Sequence, residues 1–123
     1  MAEHSLDQLR AAYAWDVVSK APKNDDFKNL ATSAPALIMG SGLMQTLAFY
    51  QEKGKDHHRA VVQGVLDWLA KKEQPLAGKN RFDTAMTALQ SSDADTYLRA
   101  TEEALEVLKW IRQFAKATIG KEP

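Results

Sequence analysis

Few side chains in this sequence have the types and spacing that metal binding requires. Its three histidines are His4, His57 and His58. Neighbouring residues on a helix diverge by about 100°, so His57 and His58 are not expected to hold one ion together. The chain has no cysteine, which excludes thiolate-bound zinc, iron–sulfur clusters and a thiol nucleophile. We therefore predict no metal site.

A catalytic serine or phosphate-binding loop has only one candidate segment, Gly40-Ser41-Gly42. No strand pattern precedes it, and it lacks the Gly-Lys-Ser/Thr ending of a phosphate loop. The carboxylates of Glu102, Glu103 and Glu106 have the spacing of a solvated helix face. We predict no catalytic residue and no cofactor, with a metal- or hydroxyl-dependent enzyme as the minor alternative.

Three basic residues near the C-terminus could bind a polyanion. Lys109, Arg112 and Lys116 are spaced by three and four residues, which places them on one helix face. Such a face is often simply solvated, and cations are favoured near a helix C-terminus. The same cations beside exposed apolar groups would also suit a groove that holds an RNA backbone against a protein neighbour.

Three large apolar residues fall outside the expected inward faces. Trp15 is nearly opposite the stripe of its own helix, which comprises Leu6, Leu9, Tyr13 and Val17. Leu98 and Leu105 lie seven residues apart among polar neighbours. Trp15 is either covered by a neighbouring loop or in contact with another chain, since aromatic residues are enriched at interface centres. We take Trp15, Leu98 and Leu105 as candidates for a protein interface.

The elements that position these residues are predicted to be helices. The 123 residues are sufficient for one hydrophobic core, and 16 basic and 16 acidic residues cancel, so RNA binding would require a local patch. Apolar residues recur with helical spacing and no alternating run has strand length. We predict an all-α fold, with a single domain over residues 1–123 that forms a compact bundle of about five to six helices.

Two apolar segments around Gly40-Ser41-Gly42 organise this bundle. The glycines predict a corner between two helices, and Pro35 predicts a kink or a restart inside the first of them. Gly54 is expected to end the second. Further on, Asp56 and Asn80 are predicted to cap helices, and the last helix is expected over about residues 94–119.

The beginning of the sequence indicates a cytoplasmic location. The N-terminus, Met1-Ala2-Glu3-His4, lacks the charged-then-apolar pattern of a signal peptide, and the apolar runs are shorter than a membrane span. The absence of cysteine agrees with a reducing compartment. We expect a soluble protein with no membrane partner.

Two stretches resemble the small helical subunit of the type III-B CRISPR effector, the Cmr complex. APALIMGSGLMQTLAFY, residues 34–50, is similar to the proline, aliphatic run, Gly-Leu joint and Ala-Phe exit of that family. YLRATEEALEVLKWIRQFAKA, residues 97–117, resembles its terminal helix. The order and separation of the stretches also agree, so the likeness spans most of the chain.

The resemblance implies a structural role in RNA-guided antiviral defence. The small subunits of such complexes stack beside a filament of backbone subunits along the crRNA and its target RNA, and other subunits cleave. The expected partners are therefore the other Cmr subunits, especially the backbone subunit, copies of itself, and crRNA and target RNA. The resemblance supports Arg99 and Arg112 as RNA contacts, whereas Lys109 and Lys116 are candidates by position. A helical adaptor that binds only protein is the alternative.

Overall fold

The structure, a computed structural model, describes residues 3–120. In this range it contains helices joined by short loops and has no β-strand. The all-α prediction is confirmed. Met1 and Ala2 of the N-terminal pattern, and the last three residues of the proposed domain, lie outside the described residues. The six α-helices and one 3₁₀ turn are α1 (Leu6–Lys20), α2 (Asp25–Ser41), α3 (Leu43–Lys53), α4 (Asp56–Lys72), the turn Gln74–Leu76, α5 (Phe82–Ser91) and α6 (Ala94–Thr118).

Side-chain caps fix where three of the helices begin. Ser5 caps α1 and forms a capping box with Gln8, while Asn24 caps α2 and Asp93 caps α6. The predicted caps Asp56 and Asn80 are wrong by one position, because Lys55 and Arg81 precede α4 and α5. The Asn80 side chain instead donates a hydrogen bond to Asp67, 3.0 Å away, which joins the loop after the 3₁₀ turn to α4.

The corner between α2 and α3 lies at Gly42. Its backbone angles, φ 91° and ψ 160°, are in a region that only glycine adopts easily. The Tyr97 hydroxyl accepts a hydrogen bond from the Met44 backbone N–H, so the first turn of α6 supports the start of α3. Helix α2 continues unbroken through Pro35, so the predicted restart there is wrong. Packing of Ala31, Ala34 and Ile38 in the core accounts for this continuity, since proline removes only one hydrogen bond of the helix.

Helix α6 lies between α1 on one side and α2 on the other. Asp7, Arg10 and Trp15 of α1 contact Trp110, Glu103 and Phe114 of α6, respectively. Helix α2 runs antiparallel to α6, because Gly42 lies beside Tyr97 and Lys28 beside Gly120. The α6 side chains buried between these neighbours are mostly small or aliphatic: Ala100, Ala104, Val107, Leu108, Ile111 and Ala115. Alanine at this spacing allows the helices to approach closely.

The inward face predicted for α1 is wrong in its first half. Leu6 and Leu9 are exposed, whereas the buried residues are Ala14 and Val18. Helix α1 packs on two neighbours, so its burial is divided between the α6 side and the α4 side. Tyr13 and Val17 of the predicted stripe are half-buried and face α4.

Glu103 joins three helices through charged hydrogen bonds. Arg10 donates to both of its carboxylate oxygens, at 2.7 and 2.8 Å, and the indole N–H of Trp68 donates at 2.9 Å. The Arg10 and Glu103 side chains are largely buried. The hydrogen bonds from Arg10 lower the pKa of Glu103, with further lowering from the Trp68 bond, while burial acts in the opposite direction.

Within residues 3–120, no helix is long and apolar enough to cross a membrane.

Alanine substitution at Gly42 and at Gly40 should change the free energy of unfolding in opposite directions. Gly42→Ala should lower the free energy of unfolding by about 1–3 kcal/mol, because alanine is strained at φ 91°. A new Cβ there would meet nothing closer than the Tyr97 hydroxyl at 3.7 Å, so the loss is a backbone effect. Gly40→Ala, the matched control, lies in α2 with open space around the new Cβ and should gain up to about 1 kcal/mol. Urea denaturation measures both, and equal effects would contradict the corner geometry.

Glu103→Gln should cost about 2 kcal/mol of unfolding free energy at pH 7, because Gln has no charge and only one acceptor oxygen for the donors Arg10 and Trp68. The lowered pKa means that the ionised carboxylate stabilises the fold above its ordinary pKa, and this stabilisation is lost as pH falls through the lowered value. The difference from the unsubstituted protein should therefore vanish in acid. Glu102→Gln, at the exposed neighbouring position, is the control. A pH-independent difference would refute the role of the charge.

Candidate interaction surfaces

One exposed stripe of α6 carries most of the predicted contact residues. At 100° per residue, its members fall within an arc of about 60° beside the buried face. We call this set the outer stripe: Leu98, Leu105, Lys109, Arg112 and Lys116. Leu98 is 56% exposed, and both lysines are exposed. Leu105 is half-buried. The stripe therefore combines two leucines in the first half of the helix with three cations in the second.

Arg112 is the residue of this stripe with unmet hydrogen-bonding capacity. It is half-buried, and its Nε is buried without a hydrogen-bond partner among residues 3–120. No carboxylate of the described chain lies within ion-pair distance of it. Burying a donor without an acceptor is unfavourable, so the fold gains nothing from the Nε–H of Arg112. The positive charge of the guanidinium also has no carboxylate partner among the described residues, and an anion from outside would pair with it.

The two lysines of the outer stripe differ in their neighbours. Lys109 Nζ lies 3.5 Å from Glu106 Oε1, one turn away on the same helix. Both side chains are largely in water, so this pair is weak and is readily exchanged for another anion. Lys116 has no carboxylate within ion-pair distance in the described part of the chain. The stripe thus presents a net positive charge towards the end of α6.

Arg99 is not brought together with the other predicted RNA contacts. It lies about 100° around the helix from the outer stripe. Its Nε is 3.7 Å from Glu73 Oε1, at the end of α4, and its terminal nitrogen contacts the Thr96 hydroxyl at 3.4 Å. The structure therefore divides the predicted set into a group of three cations and one separate, paired arginine.

Met39 belongs beside the outer stripe, although it was not among the residues predicted from the sequence. It is 77% exposed and shares a face of α2 with Lys28, eleven residues earlier. Lys28 faces the C-terminal end of α6, so the antiparallel register places Met39 towards the first turns of α6, which carry Leu98. The signal available in the sequence was the α2 periodicity, which leaves Met39 outside the face of Ala31, Ala34 and Ile38.

Trp15 begins a row of aromatic rings along the contact between α1 and α6. Its side chain is 54% exposed, and its ring meets Phe114 edge-on at a centroid distance of 5.1 Å. Phe114 in turn packs on Trp110 at 5.4 Å, and the Trp110 N–H donates to Asp7 at 3.0 Å. We call Trp15, Phe114 and Trp110 the aromatic row. The partner of Trp15 is thus a helix, not a covering loop, and the row lies on the opposite side of α6 from the outer stripe.

The histidines pack against aromatic side chains at the corner between α3 and α4. The rings of His57 and His58 are 4.3 Å apart, so the expectation that these side chains diverge is wrong. His58 also packs on Tyr50 at 5.7 Å, and burial, followed by the charge of His57, lowers its pKa. No group of three or more His, Asp or Glu side chains converges within residues 3–120. This corner has the chemistry of a packed aromatic cluster.

Comparisons with known proteins give a consistent result. A family model described as CRISPR-associated protein (Cas_Cmr5) matches residues 6–118. The chain is 29% identical to the CRISPR system Cmr subunit Cmr5 of Thermus thermophilus, over 91% of this chain and 94% of that protein. It is 30% identical to the CRISPR system Cmr subunit Cmr5 of Thermotoga maritima, over 99% and 91%. The crystal structure of a CRISPR-associated Cmr5 family protein from Thermus thermophilus superposes with a TM-score of 0.77, at 26% identity and 95% and 99% coverage.

Replacing Arg112 should show whether its side chain contributes to the stability of the fold. Arg112→Met keeps an unbranched side chain and removes the buried, unpartnered Nε, so the free energy of unfolding should stay unchanged or rise by up to about 1 kcal/mol. Arg10→Met, the control, removes the hydrogen bonds to Glu103 and should cost about 2 kcal/mol. Thermal and urea unfolding of the isolated chain measure both. A similar loss for the two variants would mean that Arg112 is a structural residue.

Proposed function

This chain belongs to the Cas_Cmr5 family of CRISPR-associated proteins, and from this we propose that it is a non-catalytic structural subunit of a type III-B Cmr complex. In this proposal the subunit helps form the filament that holds crRNA and target RNA in cytoplasmic antiviral defence. Its neighbours are the backbone subunit and copies of itself. The observation that carries the RNA part of the proposal is the outer stripe of α6, above all the unpaired Arg112.

The cations of the outer stripe suit an RNA backbone because they need no base identity. Arg112 offers a planar guanidinium that can bind a phosphate with two parallel hydrogen bonds. Lys109 and Lys116 add flexible charges one turn to either side. Contacts of this kind are electrostatic and independent of sequence, while base pairing to the guide selects the target.

The apolar half of the outer stripe and the aromatic row suit protein neighbours. Leu98 and Met39 are both more than half exposed, which is unusual for side chains that water hydrates poorly. Trp15 presents a large ring that Phe114 already orients, so little conformational entropy is lost when a partner covers it. Because these surfaces lie on opposite sides of α6, one subunit can contact two neighbours at once.

The absence of a catalytic role is part of the same proposal. Ser41, the one serine considered as a nucleophile, is exposed at the end of α2 and has no hydrogen bond to a histidine or carboxylate among the described residues. The largely buried carboxylate of Glu103 is occupied by Arg10 and Trp68. The most perturbed groups therefore take part in packing between helices.

The second candidate function is an adaptor that binds only protein. The exposure of Trp15, Met39 and Leu98 favours it, since none of these side chains requires RNA. Ultraviolet crosslinking of the assembled complex followed by peptide mass spectrometry separates the two candidates. RNA adducts on the C-terminal half of α6 support the RNA-holding subunit, whereas RNA adducts only on other subunits support the adaptor.

Charge reversal at Arg112 and Lys116 should weaken capture of target RNA by the assembled complex, most visibly at raised salt. Neutralising two phosphate contacts, with Arg112→Gln and Lys116→Gln, should reduce the slope of log K against log salt by about 1 to 2. Filter binding over a salt series measures both effects.

Lys55→Glu combined with Lys79→Glu is the matched control, since both lysines lie outside α6 and away from the outer stripe. The control variant should leave the slope of log K against log salt unchanged, once the small effect of the altered net charge on RNA binding is subtracted. Equal RNA capture by the Arg112/Lys116 variants and the unsubstituted complex would remove these two residues from the proposed RNA surface.

A further inference from the structure

A groove between α1 and α4 has features that the proposed function does not use. Its volume is about 660 Å³. The loop around Gly78 and Asn80 lines one part of it. None of the residues proposed for RNA or protein contact lines this groove, so a ligand bound here would be independent of the function proposed above.

The floor of the groove is narrow and firmly built. A Cβ added at Gly64 would lie 3.3 Å from Val17 Cγ1, which shows how closely α4 approaches α1 at this point. The Tyr13 hydroxyl donates a 2.6 Å hydrogen bond to the Gly64 carbonyl across the same contact. Three alanines, at positions 21, 60 and 70, complete the lining. Small side chains leave room above the floor for an inserted side chain of several methylene groups.

Asp67 lies in the wall of this groove and is held in place without a cation. One carboxylate oxygen, Oδ1, accepts hydrogen bonds from Gln63 Nε2 at 2.7 Å and from Asn80 Nδ2 at 3.0 Å. Among residues 3–120, no lysine, arginine or histidine nitrogen lies within ion-pair distance of either oxygen. The other oxygen therefore keeps its capacity to accept hydrogen bonds from a ligand.

The two lysines that line the groove already have partners within it. Lys71 lies one helical turn beyond Asp67, but its Nζ lies over the Tyr13 ring, 5.2 Å from the centroid. Lys20 pairs with Asp16 at 3.0 Å on the α1 wall. The carboxylates of Asp67 and Asp16 both act on the phenol of Tyr13, whose pKa is raised mainly by burial and secondarily by these charges. Both acids thus lie close enough to Tyr13 to act on its phenol.

We propose that this groove receives an arginine side chain from a neighbouring protein, with Asp67 as its ion-pair partner and the small-residue floor as the surface for its methylene stem. A guanidinium fits better than an ammonium, because its planar fork matches a fixed carboxylate and its stem packs on apolar groups. An RNA backbone fits less well, since Lys20 and Lys71 are engaged with Asp16 and Tyr13 and a phosphate would meet the unpaired carboxylate of Asp67. The occupant is therefore an arginine-bearing segment of protein.

The test uses the full chain and a peptide of known charge. The probe is acetyl-Ala-Arg-Ala-amide, titrated while amide chemical shifts are followed by NMR. We expect saturable shifts at Gly64, Asp67 and Asn80. The same peptide with citrulline, a neutral isostere of arginine, should bind about fivefold more weakly or worse, because charged hydrogen bonds are the stronger ones. Acetyl-Ala-Glu-Ala-amide should cause no saturable shift.

Two variants are used, so that the proposal can still be tested if one of them does not fold. Asp67→Asn keeps an oxygen for Gln63 and Asn80 but removes the charge, and it should weaken the arginine peptide about fivefold. Ala70→Leu fills the groove without changing its charge and should also weaken binding of the arginine peptide. Glu102→Gln, at an exposed position of α6, should bind the arginine peptide as the unsubstituted chain does. No saturable shift, equal binding of citrulline, or unchanged binding by the folded variants would each overturn the proposal, whatever RNA crosslinking of α6 shows.

Discussion

The fold depends on one carboxylate that is buried between three helices. Glu103 of α6 is held by Arg10 of α1 and by Trp68 of α4, so its hydrogen bonds fix how these helices pack together. A largely buried ion pair is stabilising only when its geometry satisfies the remaining donors and acceptors, and here both carboxylate oxygens are engaged. Since α1 occupies one side of α6 and α2 the other, fixing α1 also determines which side chains of α6 remain exposed.

The sequence pattern was most informative where a helix has one buried face. In α6 helical spacing places Lys109, Arg112 and Lys116 on one face, and the buried Ala100, Ala104, Val107, Leu108 and Ile111 lie on another. It failed for α1, whose burial is divided between two neighbours, so that Leu6 is exposed while Ala14 is buried. A hydrophobic scale ranks Leu6 above Ala14, whereas close approach of helices favours the smaller side chain.

The candidate surfaces were predictable in part for the same reason. Helical spacing alone brings together Lys109, Arg112 and Lys116, because these residues belong to one helix. Spacing does not show that Arg112 is half-buried without an acceptor, that Arg99 pairs with Glu73, or that Trp15 rests on Phe114. Each of these facts involves a second element, and the relative placement of elements is the property that periodicity leaves undetermined. The groove at Asp67 escaped prediction for the same reason, since its walls come from α1, α4 and a loop.

The distribution of charge gives the molecule two faces that select different partners. The outer stripe of α6 has excess cations, and Arg112 there lacks an acceptor within the described chain. The groove between α1 and α4 contains the opposite arrangement, an anchored Asp67 without a cation among the described residues. A formal net charge of zero conceals this division, because cations and anions that cancel in the sum are separated in space. If both proposals hold, the outer stripe would receive a polyanion and Asp67 a basic protein segment, and the packing of α1, α4 and α6 would fix their relative orientation.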